Sequence, residues 1–242
     1  MACRCGRTAY NPLLNQQIAM ATNLNIEEQD QLDALKHFWS RFGGVISAVL
    51  LVVLLATAGW NGYRFWKSRQ AAQASAMFDE VERAVASSEL ALAQRAFTDM
   101  KDRYGSTSYA PQAGLLVAKL AIDAGKDDAA ATATAALQWV SVNASDEGLR
   151  AVAALRLSAL MIDAKEYEQA QKTLQSVHAD AFSALVQDRM GDLYALQNKT
   201  ADAKAAYLKA FAAMDAESEY RRLIKVKLNA LGVEPPAPAG AG

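Results

Sequence analysis

The chain is short of the residues that enzymes and disulfide-braced folds depend on. Its cysteines, Cys3 and Cys5, both lie within the first five positions, so no disulfide framework can hold anything further along. Histidine occurs only at His37 and His178, and Cys3-Arg4-Cys5 has no second Cys/His pair nearby to complete a metal site. No Gly-x-Ser-x-Gly, His-Glu-x-x-His, Walker loop or dinucleotide fingerprint is present. The usual nucleophile and base pairings therefore cannot be assembled, and no catalysis, cofactor, metal or small-molecule substrate is expected. Asp127-Asp128 and Asp79-Glu80-x-Glu82 read as solvated charges at helix starts or on exposed faces. A basic field is missing too, with 25 Lys and Arg against 26 Asp and Glu and a formal net charge of −1. Nucleic-acid binding has no support in such a balance. After residue 64 there are no alternating β-branched runs or hairpin dipeptides, so the fold class is all-α.

Charge is absent in one further place, from Phe42 to Tyr63. A 22-residue helix would be roughly 33 Å long, enough for a hydrocarbon core of about 30 Å. Nine Val, Ile and Leu side chains between Val45 and Leu55 favour insertion by roughly 4 kcal/mol. Trp39 and Phe42 precede this run, Trp60, Tyr63 and Trp66 follow it, and Arg41, Arg64 and Lys67 stand just outside. Interfacial rings and snorkelling cations have that arrangement. Ala56-Thr57-Ala58 has the spacing a signal peptidase accepts, but the run lies far from the N-terminus and acidic residues precede it, so an uncleaved single-pass anchor is expected.

The anchor divides the chain into an extension (1–24), an amphipathic helix (25–41), a transmembrane helix (42–63), a helical domain (64–231) and a disordered Pro/Ala/Gly tail (232–242). Met20 offers a second translation start. Asn25 and Glu28 have capping-box spacing, and Leu32, Leu35, Phe38, Trp39 and Phe42 recur at helical intervals. That stripe is expected to lie along the headgroups. Beyond the span, Ala-, Leu-, Gln-, Lys- and Glu-rich segments are broken near Ser87-Ser88, 104–108, Gly125, 143–145, Ala164, 178–180, Asn198 and Met214, giving short helices joined by tight turns.

The last complete helix pair carries a repeat signature. Met190-Gly191-x2-Tyr194 followed by Ala203-x3-Tyr207 and Ala210 has tetratricopeptide spacing. Gly191 inside a helix makes sense where a neighbouring helix presses on its backbone. Thirty-three residues earlier, Ser158, Met161, Ala170 and Leu174 repeat the same small, large, small, large series. The stretch 123–142 keeps only the helix-turn-helix outline, and 64–103 less still.

With the anchor included, the chain resembles the YfgM family, the ancillary SecYEG translocon subunits. The resemblance rests on Asp30-Gln31-Leu32-Asp33-Ala34-Leu35-Lys36, Gly59-Trp60, Tyr63-Arg64-Phe65-Trp66, the stretch Ser145 to Leu157, and Asp188-Arg189-Met190-Gly191-Asp192. It covers about Glu27 to Leu231 and implies a tetratricopeptide-like α-solenoid on a single transmembrane helix. It further implies a bacterial inner-membrane protein, N-terminus cytoplasmic and domain periplasmic, that partners the SecYEG translocon and a membrane-anchored prolyl-isomerase-type periplasmic chaperone. Charge counting alone leans the other way, with Lys36 and Arg41 before the span against Arg64, Lys67, Arg69 and Arg83 after it, although long domains translocate largely regardless of charge.

The function implied is a non-enzymatic adaptor for protein export. The alternative is a regulator of an envelope stress response whose cytoplasmic segment sequesters a signalling component. By the same resemblance, Val152, Leu155, Ala159 and Ile162 line a partner-binding groove as an apolar strip, with Asp188 and Asp192 as its polar rim. The competing expectation packs that strip inside the domain against residues 109–142.

Overall fold

The computed structural model describes residues 26–125 and 127–234. Met20, Asn25, the extension and most of the tail lie outside them. Among the described residues every regular element is helical. The elements are α1 (Ile26–Ala86), α2 (Leu90–Tyr104), α3 (Tyr109–Ala124), α4 (Asp127–Asn143), α5 (Glu147–Asp163), α6 (Tyr167–Gln175), a 3-10 turn (Asp180–Phe182), α7 (Ser183–Leu196), α8 (Thr200–Ala213) and α9 (Glu219–Ala230). The chain divides into two compact units, Met1–Phe65 and Trp66–Gly242.

In the first unit the lead-in and the span form one uninterrupted helix, where the sequence suggested two. No proline interrupts the segment, so nothing removes a backbone donor from the ladder. The apolar stretch is long enough to cross a membrane, and its most apolar window is only 6% buried by protein, as a lipid-facing helix would be. Two hydroxyls of this helix bond locally: Ser40 donates to the His37 carbonyl at 2.9 Å and Thr57 to that of Leu54 at 3.0 Å. Neither carries an unmet donor toward hydrocarbon.

The second unit is a stack of helix pairs, each helix from α2 onward packing on the next and the first helices of successive pairs also touching, α3 on α5 and α5 on α7. The two pairs legible in the sequence are α5/α6 and α7/α8. The structure adds two more in the same register. The small position held by Ser158 and Gly191 is held by Val81 in α1 and Ala118 in α3, all buried. On the second helices Ala170 and Ala203 correspond to Ala93 and Ala129, and Leu174 and Tyr207 to Phe97 and Ala133, again all buried.

Each of these four pairs turns at the same point, seven residues after the small position. Ser88, Gly125, Lys165 and Asn198 sit there with φ of 59°, 60°, 63° and 60°. This left-handed corner closes the first helix: the amides of Glu89, Glu166 and Lys199 reach back to the carbonyls of Ala84, Met161 and Tyr194 at 2.9, 2.8 and 2.9 Å. Those bonds satisfy carbonyls that a helix end leaves open. α9 ends in the same way, with Gly232 at φ 75° and the Val233 amide bonded to the Leu228 carbonyl. It has the form of the first helix of a fifth pair, and the sequence places Pro235-Pro236 where a second helix would begin.

The N-caps are mixed. Asp146 caps α5 by accepting from the Leu149 amide at 2.8 Å, and Ser218 caps α9. Thr200 and Asp180 instead begin their elements without acting as caps.

Candidate partner-binding surface

The residues expected to bind partners fall on two first helices, α5 and α7, and the structure puts them in different surroundings. On α5, Ile162 is 6% exposed and packs with Ala170 and Leu193. Leu155 packs against the cluster of Leu174, Val186, Met190 and Ala206, to which α7 contributes Val186 and Met190. Ile162 and Leu155 form the seat of the next repeat, so α7 covers them rather than the 109–142 segment. Val152 and Ala159 remain half-buried on the same row. The equivalent row of α3 adds Leu115, half-buried, and Ile122, exposed, with Lys119 between them ion-paired to Asp123 at 2.6 Å. An apolar row with a polar edge thus runs across α3 and α5.

On α7 the row changes character. Asp188, in the place of Leu155, is 1% exposed, and Asp192 stands in the place of Ala159. α9 covers them as α7 covers Leu155. Lys227 Nζ lies 2.9 and 2.8 Å from the two Asp188 oxygens and donates to Asp192 Oδ1 at 2.7 Å. Tyr220 Oη donates to Asp188 Oδ2, and Tyr207 Oη to Asp192 Oδ1, both at 2.7 Å. Arg189 stands 3.8 Å from Asp192. The two carboxylates thereby join α7, α8 and α9 through a charge-assisted network instead of lining an open rim. Burial, and then the hydrogen bond to a carboxylate, push both phenols above the usual tyrosine value.

The packing residues come together around one close approach. A Cβ placed on Gly191 would lie within 2.9 Å of Tyr207 Cγ, so the ring of α8 presses directly on the backbone of α7. Tyr194, half-buried, and Ala203 and Ala210, buried, flank that contact. One pair earlier, Ser158 is buried with its hydroxyl donating to the Leu155 carbonyl at 2.8 Å, and Met161 Sδ accepts from Thr173 at 3.6 Å. Lys227 and Tyr220 escaped sequence reasoning. Lys227 lies 39 residues from Asp188, so no local spacing marks the pairing.

A small concavity of about 70 Å³ gathers Glu147, Arg150 and His178, while wider, more open ones lie beside Arg95 and Asp99 and beside Glu80 and Arg83. Arg150 is already committed to the carbonyls of Ala144 and Ser145, at 2.6 and 3.3 Å. Ligand pockets usually run to roughly 300 Å³ or more, so the concavity at Arg150 lacks the room for a substrate of that size.

Comparison with known proteins covers most of the chain. A family model described as a tetratricopeptide repeat-like domain matches residues 36–233. A protein of Neisseria gonorrhoeae called ancillary SecYEG translocon subunit is 32% identical over 212 residues, covering 86% of this chain and 98% of the relative. Proteins of the same description from Haemophilus influenzae and Escherichia coli are 30% and 27% identical, with 98% and 97% of their lengths covered.

Proposed function

The chain belongs to the family of ancillary SecYEG translocon subunits, and from that footing we propose that it is a membrane-anchored adaptor that works beside the translocon through protein contacts. It is not an enzyme: its family carries a protein-interaction fold. The observation carrying the reading is the extent of the match, since 98% of a relative so described is covered at 32% identity. Anchor and repeats therefore correspond together. The α1 span fixes the protein in the inner membrane as a single-pass subunit, with the N-terminus in the cytoplasm and the repeats in the periplasm. There the row of Leu115, Ile122, Val152 and Ala159, which α7 leaves uncovered, accepts an apolar segment of a partner, a membrane-anchored prolyl-isomerase-type chaperone or an exported chain.

The test is a photo-crosslinking residue at Val152, compared with one at Asp33, in native membranes. Adducts with translocon subunits or a periplasmic chaperone from Val152 are expected. Adducts only from Asp33, with soluble cytoplasmic proteins, would instead favour a regulator that acts through its cytoplasmic segment. A reporter fused after Gly232 that is active only in the cytoplasm would overturn the orientation.

A further inference from the structure

The joint between successive first helices occurs in three states among the described residues, and the last of them is open. At α5 the receiving side chains Leu155 and Ile162 are covered by Val186, Met190 and Leu193 of α7. At α7 the receivers are Asp188, in the place of Leu155, and Asp192, in the place of Ala159, and they are covered by Tyr220 and Lys227, which stand on α9 where Val186 and Leu193 stand on α7. At α9 the equivalent receivers are Arg222 and Val226, and no described helix covers them. Val226 is 63% exposed and its neighbour Leu223 46%. Lys225, also exposed, makes no ion pair among the described residues. It occupies the small position where Gly191 admits Tyr207.

We propose that this face of α9 is a docking site for an amphipathic helix of another protein, one bearing an apolar ridge flanked by carboxylates. The partner's ridge covers Leu223 and Val226 and its acidic flank meets Lys225, beside Arg222, which is ion-paired to Glu219 at 2.9 Å. The chemistry is that of the α7/α9 joint with its signs exchanged: there the receiving helix supplies carboxylates and the arriving helix the ammonium group. An arriving basic helix would meet like charge at Lys225, so charge complementarity selects an acidic one. The face is distinct from the α3 and α5 row and does not depend on it.

The experiment uses the full chain in nanodiscs and two synthetic amphipathic helices of identical Leu ridge, one flanked by Glu and one by Lys, read by fluorescence anisotropy. The Glu-flanked helix is expected to bind. Val226→Asp should weaken it by about tenfold or more, and Lys225→Glu should reverse the preference between the two peptides. Both side chains are exposed, so the melting temperature should stay unchanged. Equal binding of the two peptides, or indifference to Val226→Asp, overturns the proposal. So does self-association of the chain that Val226→Asp abolishes, which assigns the face to a second copy. Binding that appears only after removal of residues 235–242 also overturns it, and assigns the face to the chain's own tail.

Discussion

Asp188 is the residue whose role is least visible in isolation. A carboxylate at 1% exposure is tolerable only because Lys227 and Tyr220 meet it, and removing one partner of such a pair leaves a buried charge uncompensated. Lys227→Met should therefore cost about 2–3 kcal/mol, somewhat under the usual loss for a wholly buried pair because the lysine keeps some solvent. Urea unfolding would measure it, and adding Asp188→Leu to the same chain should recover part of the loss. The phenols make a second prediction. Their folded values lie above the usual 10.0, so the folded state holds protons that the unfolded chain releases above about pH 10. The contribution of these two phenols should be flat below that pH and fall as pH rises past it, and Tyr207→Phe/Tyr220→Phe should flatten the alkaline limb of a melting-temperature profile. None of this could be seen in sequence. Two acids four apart on one helix face look like a solvent edge until a distant lysine is folded onto them.

Among elements, the corner between the helices of each pair decides how regular the stack is. Lys165 holds φ 63° with a side chain that disfavours this region by about 1–2 kcal/mol. Lys165→Gly should raise stability by about 0.5–1 kcal/mol, measured by the same urea titration, while Asn198→Gly should gain less because asparagine tolerates that conformation better. The corners also explain which repeats were legible. In α7/α8 the glycine and tyrosine stand at fixed spacing and announce the contact. In α3/α4 the small and large positions are all alanine, Ala118 and Ala133, and the link from Ala118 to Ala129 is one residue shorter than that from Ser158 to Ala170, so a search at constant period misses it. In α1/α2 a valine takes the small position and Ser88 takes the corner, neither of which resembles the motif. The backbone repeats where the residue types do not. Helix class, the positions of the breaks and the apolar span, by contrast, rest on composition and periodicity, which survive such substitutions.

Across the molecule the array is finished with charge at both ends. Glu80 stands in α1 where Val117, Leu157 and Met190 pack in later pairs, and Lys225 stands in α9 where small residues admit a second helix. The unequal joints between them bear on how the stack comes apart. In a linear array each unit is held by its neighbours alone, so local opening occurs at the weakest coupling. The interior pairs are zipped by alanine and leucine, whereas α9 is latched by one ammonium group shared between two carboxylates, with only Ile224 and Leu228 fully buried on it. Backbone amides of α9 should exchange with deuterium first and those of α8 next, while α3 to α5 protect longest. Added salt should speed the exchange of α9 more than that of α3 to α5, because its latch is the electrostatic one.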